Sequence, residues 1–138
     1  MKLTERIYYY PWTNPTDNNC NSYLLAGQVP TLIDPGHVRH LDRLISLIEK
    51  DAIDPETIKL IINTHAHPDH FESSLHLIKD GRRLAMHEEE DQFIQTTGKE
   101  FFRMMGMTMP DYKIDFYLTD GSFERPKKQT FRRGQGRT

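Results

Sequence analysis

Residues 64–70 read Thr-His-Ala-His-Pro-Asp-His, which places His65, His67, Asp69 and His70 within six positions. In extended backbone, residues two apart project to the same side, so His65 and His67 can offer imidazole nitrogens to one cation. Pro68 suits the first turn of a helix, and the change of direction there lets Asp69 and His70 face a neighbouring point. One loop can therefore supply two ligands to each of two metals. Nitrogen and carboxylate ligands without thiolate suit zinc, with iron or manganese as alternatives. A bound divalent ion lowers the pKa of its water to roughly 7, and two ions about 3.5 to 4 Å apart can hold both nucleophile and polarised oxygen. That is hydrolytic chemistry. The competing reading is a solvated polar loop; three imidazoles and a carboxylate directly after an apolar strand favour the metal.

The elements that must position these residues follow from periodicity. Three short apolar runs, Ile7–Tyr10, Tyr23–Ala26 and Thr31–Ile33, are separated by Pro, Asn and Gly and read as an antiparallel meander. Val38, Leu41, Leu44, Ile45 and Ile48 recur at helical spacing and predict a helix over about 38–50. Ile58–Ile62 has the nearly continuous apolar character of a strand buried on both faces, and it ends just before the histidine motif. A second helix is expected from Pro68–Asp69 to Asp80-Gly81, with Phe71, Ser74, Leu75 and Ile78 inward. Leu84–Met86 reads as a strand, Glu88–Asp91 as the acidic opening of a third helix, and Ile114–Leu118 as a strand turned by Asp120-Gly121. The fold class is α/β or α+β, with helices available to cover at least one face of a mixed sheet.

The motif Thr64–His70 resembles the signature of the metallo-β-lactamase superfamily, whose members include thioesterases, lactonases, lactamases and nucleases. Asn19–Leu25 looks like that family's second strand, Thr31–Gly36 like its third strand and turn, and Leu118–Phe123 like the strand turn before its next histidine motif. The resemblance runs from about residue 7 to 123. It implies an αββα sandwich, with His65 and His67 on a first metal, Asp69 and His70 on a second, and Asp69 also orienting the nucleophilic water. It further implies a hydrolase whose metal-bound hydroxide attacks an ester, thioester or lactone carbonyl of a small-molecule substrate, with one or two zinc ions. The family also has a later Gly-His motif, a bridging Asp and a final His, whereas no histidine follows His87 here. Four of seven ligand positions are thus present, and the chain reads as truncated to the N-terminal half of the fold or slightly more. A truncated, non-catalytic metal-binding remnant or interaction domain is therefore the alternative, with a nuclease-type phosphodiesterase behind it. Phe71-Glu72-Ser73-Ser74 stands where many relatives carry Ile-Gly-Gly, which touches helix packing and leaves the ligands intact.

With 138 residues there is room for one domain, and 36% apolar residues with a mean hydropathy of -0.70 give it a thin core. The net charge of -2 is the sum of two unlike segments: residues 1–124 carry 12 Lys+Arg against 20 Asp+Glu, and residues 125–138 carry six cations and no acid. We read 1–124 as the domain and 125–138 as a basic tail that is disordered or foreign to the fold, as a frameshift would produce. Its one aromatic, Phe131, and its lack of periodicity argue against a nucleic-acid partner. A half-sandwich exposes an apolar sheet face, which points to a homodimer or a complementing chain. No apolar run is long enough to span a bilayer, the N-terminus lacks a secretory pattern, and the single Cys20 fits a reducing compartment, so the expected location is cytoplasmic.

Other candidates rank lower. His37 and His40 lie on an exposed helix start, His76 points away from the motif, and His87 opens an acidic segment. Trp12 is expected to anchor its loop, residues 101–109 to contribute Met and Phe to the core, and Cys20 to be a small buried hydrophobe.

Overall fold

The computed structural model describes residues 1–107, 111–120, 122–124 and 131–132. Strands β1 (Ile7–Tyr10), β2 (Ser22–Leu25) and β3 (Thr31–Ile33) form the expected antiparallel meander. The chain then crosses over through a single 3-10 turn at Val38–His40 and helix α1 (Leu41–Lys50) to β4 (Leu60–Ile62). Helix α2 (Pro68–Leu77) leads to β5 (Arg83–Met86). Helix α3 (Glu88–Phe93), a π-helical turn over Ile94–Gly98 and helix α4 (Lys99–Met104) lead on toward β6 (Tyr112–Lys113) and β7 (Phe116–Thr119). Strand β8 (Ser122–Glu124) returns antiparallel on β7, and β9 (Phe131–Arg132) pairs with β6 in a separate ribbon.

The main sheet has seven strands in the order β1-β2-β3-β4-β5-β7-β8, with β3, β4, β5 and β7 parallel. Each parallel step moves one place in the same direction, and right-handed crossovers then put the connecting helices on one face. The burial alternation agrees. Leu24, Leu32, Ile61 and Leu84 are register partners across four strands and all are 0% exposed, covered by Leu44, Ile48, Phe71, Leu75 and Phe102. Each such aliphatic contributes about 1.5–3 kcal/mol by leaving water.

The opposite face carries an equally apolar row, Tyr9, Tyr23, Ile33, Ile62, Ala85 and Phe116, in continuous register across six strands. Among the described residues this face is open: Leu25, Val29, Leu60, Ile62 and Phe116 line a groove, with Lys59 at its rim and the Arg83 guanidinium 5.7 Å from the Phe116 ring. The continuous apolar character of β4 thus reflects two apolar faces, only one of which is covered here, by helices. The described residues build one helical layer and one sheet of the expected sandwich.

Several boundaries differ from the sequence reading. The first turn of the 38–50 helix is 3-10, and Ile58 is buried at the end of a Pro55–Thr57 turn before β4 begins. Strand β7 starts at Phe116; just before it Asp115 N donates to the Leu84 carbonyl at 2.8 Å, and the Asp115 carboxylate accepts from Leu84 N at 2.9 Å. Of the Met/Phe stretch, Phe102 is core, whereas Phe101, Met104 and Met105 are exposed and Met109 lies outside the described residues. In the basic tail, Arg125, Lys127, Lys128, Arg133 and Arg137 also lie outside them.

Candidate metal centre

The motif loop leaves the C-terminal end of β4 and enters α2, so the sheet aims it and the helix stops it. His67 is the N-cap of α2, its carbonyl accepting from His70 N (2.9 Å) and Phe71 N (3.0 Å). Glu90 of α3 pins the loop from the other side, its Oε1 accepting from Ala66 N at 2.8 Å. Buried Asn63 ties both ends together: its amide donates to the His70 carbonyl (2.9 Å), while its Oδ1 accepts from Ser74 Oγ (2.6 Å).

These restraints bring His65, Asp69 and His70 to one point, with one candidate ligand atom from each within 4.8 Å of the others. The rings of His65 and His70 lie 3.9 Å apart, and His70 Nε2 is 3.9 Å from Asp69 Oδ2. His67 stands beside this group, edge-on to His65 at 4.9 Å, with its own ring against Phe93 and the half-exposed Phe101. Gly98 permits this wall, since a Cβ there would lie 2.8 Å from the Phe93 ring.

Asp34, to which the sequence reading gave no role, organises the centre. Its carboxylate is buried at the end of β3 and its backbone has φ 53°, a left-handed conformation that Asp tolerates better than most residues. Oδ1 accepts from Thr64 N at 2.8 Å, and Oδ2 contacts Thr64 Oγ1 at 2.5 Å and His70 Nδ1 at 3.1 Å. The Thr64 hydroxyl has one proton, which it gives to Asp34. Its contact with His65 Nδ1 at 3.1 Å must then be a bond donated by the imidazole. One carboxylate therefore holds the proton on Nδ1 of both His65 and His70 and leaves Nε2 as the ligand atom of each neutral imidazole, an arrangement that suits metal binding.

Electrostatics separate the two imidazoles. Burial and the adjacent His70 imidazole lower the pKa of His65, against the opposing charges of Asp34 and Asp69, which favours its neutral form. Burial pulls His70 down too, but the Asp34 hydrogen bond and the charges of Asp34 and Asp69 outweigh it and leave the pKa raised, which favours the imidazolium, so ligation through its Nε2 would release that proton. Two imidazoles with free Nε2 atoms and one carboxylate, with no thiolate near, form a donor set that fits a divalent cation of the zinc type. Cys20 is buried, donates to the Asp34 carbonyl at 3.2 Å, and has its thiol pushed up to about 12 by burial and the Asp34 charge.

The remaining histidines serve elsewhere. His37, expected on an exposed face, is buried, with Nδ1 3.0 Å from Glu72 Oε1. His40 packs on Trp12 (4.3 Å between rings) and contacts Asp17, so Trp12 anchors its loop as expected. His76 is exposed, and His87 caps α3 by accepting from Glu89 N.

The chain matches the family model described as "Metallo-beta-lactamase superfamily" over residues 15–133. It is 46% identical over 50 residues to a protein described as a "probable metallo-hydrolase" from Methanocaldococcus jannaschii, a stretch covering 36% of this chain and 23% of that protein. Among solved structures, a mutant metallo-β-lactamase from Cronobacter sakazakii superposes with a TM-score of 0.68 at 25% identity, covering 88% of this chain and 48% of that one. A subclass B3 metallo-β-lactamase of Bradyrhizobium japonicum gives 0.58 at 28% identity, over 69% of this chain and 35% of that one. The chain thus spans less than half the length of each of these relatives. With the mixed sheet, the helical layer and the histidine loop at the end of β4, the match over most of its length settles the family: the chain belongs to the metallo-β-lactamase superfamily.

Proposed function

We propose that this chain is the metal-binding part of a hydrolase that cleaves an ester, thioester or lactone. The observation that carries the reading is the convergence of His65, Asp69 and His70 on one point with both imidazole tautomers set by Asp34. Zinc is the ion best suited to the donors, with iron or manganese as alternatives; His67, beside His65, is the natural further ligand. A bound ion would supply Lewis acidity and make water acidic enough to serve as nucleophile near neutral pH. The chain's own residues do the rest. His65 and His70 present Nε2, and the Asp69 carboxylate at the mouth can accept a water proton and orient its lone pair. Phe93 and Phe101 beside His67 offer an apolar wall to the acyl portion of a substrate. The acidic opening of α3, with Glu90 touching the motif loop, favours a neutral carbonyl substrate over a phosphodiester.

No helix among the described residues is long and apolar enough to cross a membrane. The protonated, buried Cys20 suits a reducing, cytoplasmic setting, which is part of the proposal. So is a second copy or complementing chain on the open sheet face; a compact monomer in scattering measurements would contradict that. Metal analysis of the purified chain with a panel of thioesters, esters and lactones tests the function. Near-stoichiometric zinc, lost in His70→Ala, with turnover of one class supports the hydrolase; zinc without turnover leaves a metal-binding remnant, and no metal contradicts both.

A further inference from the structure

The loop between β1 and β2 is fastened to the start of α1 at successive residues. Asp17 accepts from Arg39 through both oxygens (Nη2 to Oδ1 2.7 Å, Nε to Oδ2 3.3 Å) and contacts His40 Nε2 at 2.7 Å. Its backbone carbonyl accepts from Trp12 Nε1 at 2.9 Å, and the Arg43 guanidinium lies over the same indole. Two residues on, Asn19 Oδ1 accepts from His37 N at 2.8 Å and sits where a side chain at Gly36 would be, 2.3 Å from an added Cβ. Between these two anchors both backbone groups and the side-chain NH2 of Asn18 are engaged. Its N–H donates to Asp17 Oδ1 (2.8 Å), its carbonyl accepts from Arg39 Nη2 (3.2 Å), and its side-chain Nδ2 donates to Asp69 Oδ2 at 3.3 Å.

We infer that Asn18 is a positioning residue for Asp69, fixing the direction of its carboxylate toward the metal, and that Arg39 acts on the centre through Asn18. An amide N–H can only donate, so it selects one carboxylate rotamer without competing for the cation. Because both backbone groups of Asn18 are already fixed, the ordering cost of that contact is met when the loop folds and not when an ion binds. Arg39 touches none of His65, His67, Asp69 or His70, yet it holds the residue that touches Asp69. The inference rests on the metal reading given above.

Titration of the purified chain with Co2+, followed by its visible absorption, tests it in wild type, Asn18→Ala, Arg39→Ala and the double variant. The expected result is a roughly tenfold weaker affinity and a changed band shape in Asn18→Ala, the size typical of lost outer-shell partners. Arg39→Ala should shift affinity in the same direction, and the double variant should resemble Asn18→Ala, because two residues acting in series are not additive. A change of overall stability alone would leave the band shape of the bound ion unaltered. Cobalt binding with the same affinity and spectrum in Asn18→Ala overturns the inference while the metal reading stands, and additive effects overturn the role of Arg39. A wild-type chain that binds no cobalt removes both.

Discussion

Asp34→Asn separates the proton arrangement of the centre from its shape. Asn keeps the volume of Asp34 and its tolerance of φ 53°. Thr64 N can only donate, so the Asn carbonyl must stay on that side and the NH2 must face Thr64 Oγ1 and His70 Nδ1. Each contact then reverses. His70 Nδ1 becomes an acceptor and its proton moves to Nε2; the Thr64 hydroxyl, now accepting from the amide, donates to His65 Nδ1 and moves that proton to Nε2 as well. Both candidate ligand atoms are blocked by one substitution that touches neither. Stability should fall by about 1–2 kcal/mol as charge-assisted bonds become neutral ones. Metal affinity should fall about 100-fold, equivalent to about 2.7 kcal/mol, since two outer-shell contacts are reversed together. Zinc affinity by chelator competition gives the second number, and long-range nitrogen-proton NMR of the imidazoles, in alkaline buffer without metal, reads the tautomers directly. An Asp34→Asn variant that folds and keeps Nδ1–H on both histidines, with unchanged zinc affinity, would show that Asp34 does not set the tautomers.

Cys20, with its thiol near 12, should react with a disulfide reagent at mildly alkaline pH only after the chain is unfolded; fast native labelling would contradict its burial. Adjacent residues of β4 should differ sharply: Ile61→Ala should cost about 3–4 kcal/mol in urea unfolding, whereas Leu60→Lys on the open face should fold and lower apolar-dye binding. The Asp17 carboxyl is held below its ordinary range first by the Arg39 hydrogen bond and then by His40. A depressed pKa contributes stability that is complete above the unfolded value near 3.9 and lost as pH falls toward the folded one. Wild type should therefore lose its advantage over Asp17→Asn in unfolding titrations below about pH 4, and an advantage that persists into strong acid would contradict the latch.

The sequence made the sheet legible where one signal dominated. Short apolar runs and turn residues located β1, β2 and β3, and helical spacing located α1 and α2. It was silent on local detail, as when the Asp115 carboxylate joined the backbone bond to Leu84 just before β7 or Ile58 closed a turn in place of joining β4. The histidine motif announced its donors because metal ligation needs those residue types close in sequence. Asp34 and Asn18 left no such trace, since each reaches the centre from another element through contacts separated by 30 or more positions. A lone Asp at the end of a strand is common; only the parallel pairing of β3 with β4 puts Asp34 beside Thr64. The two apolar faces of β4 were likewise visible, whereas which one the helices cover is a property of crossover handedness and not of composition.

In the proposed centre His65, Asp69 and His70 hold one divalent ion. Anomalous diffraction at the zinc absorption edge from crystals of the zinc-loaded chain tests it most directly. The expected result is a peak about 2.0–2.2 Å from Nε2 of His65 and of His70 and from a carboxylate oxygen of Asp69. A peak at Cys20, at the exposed His76 or His87, or none at the end of β4 would contradict it.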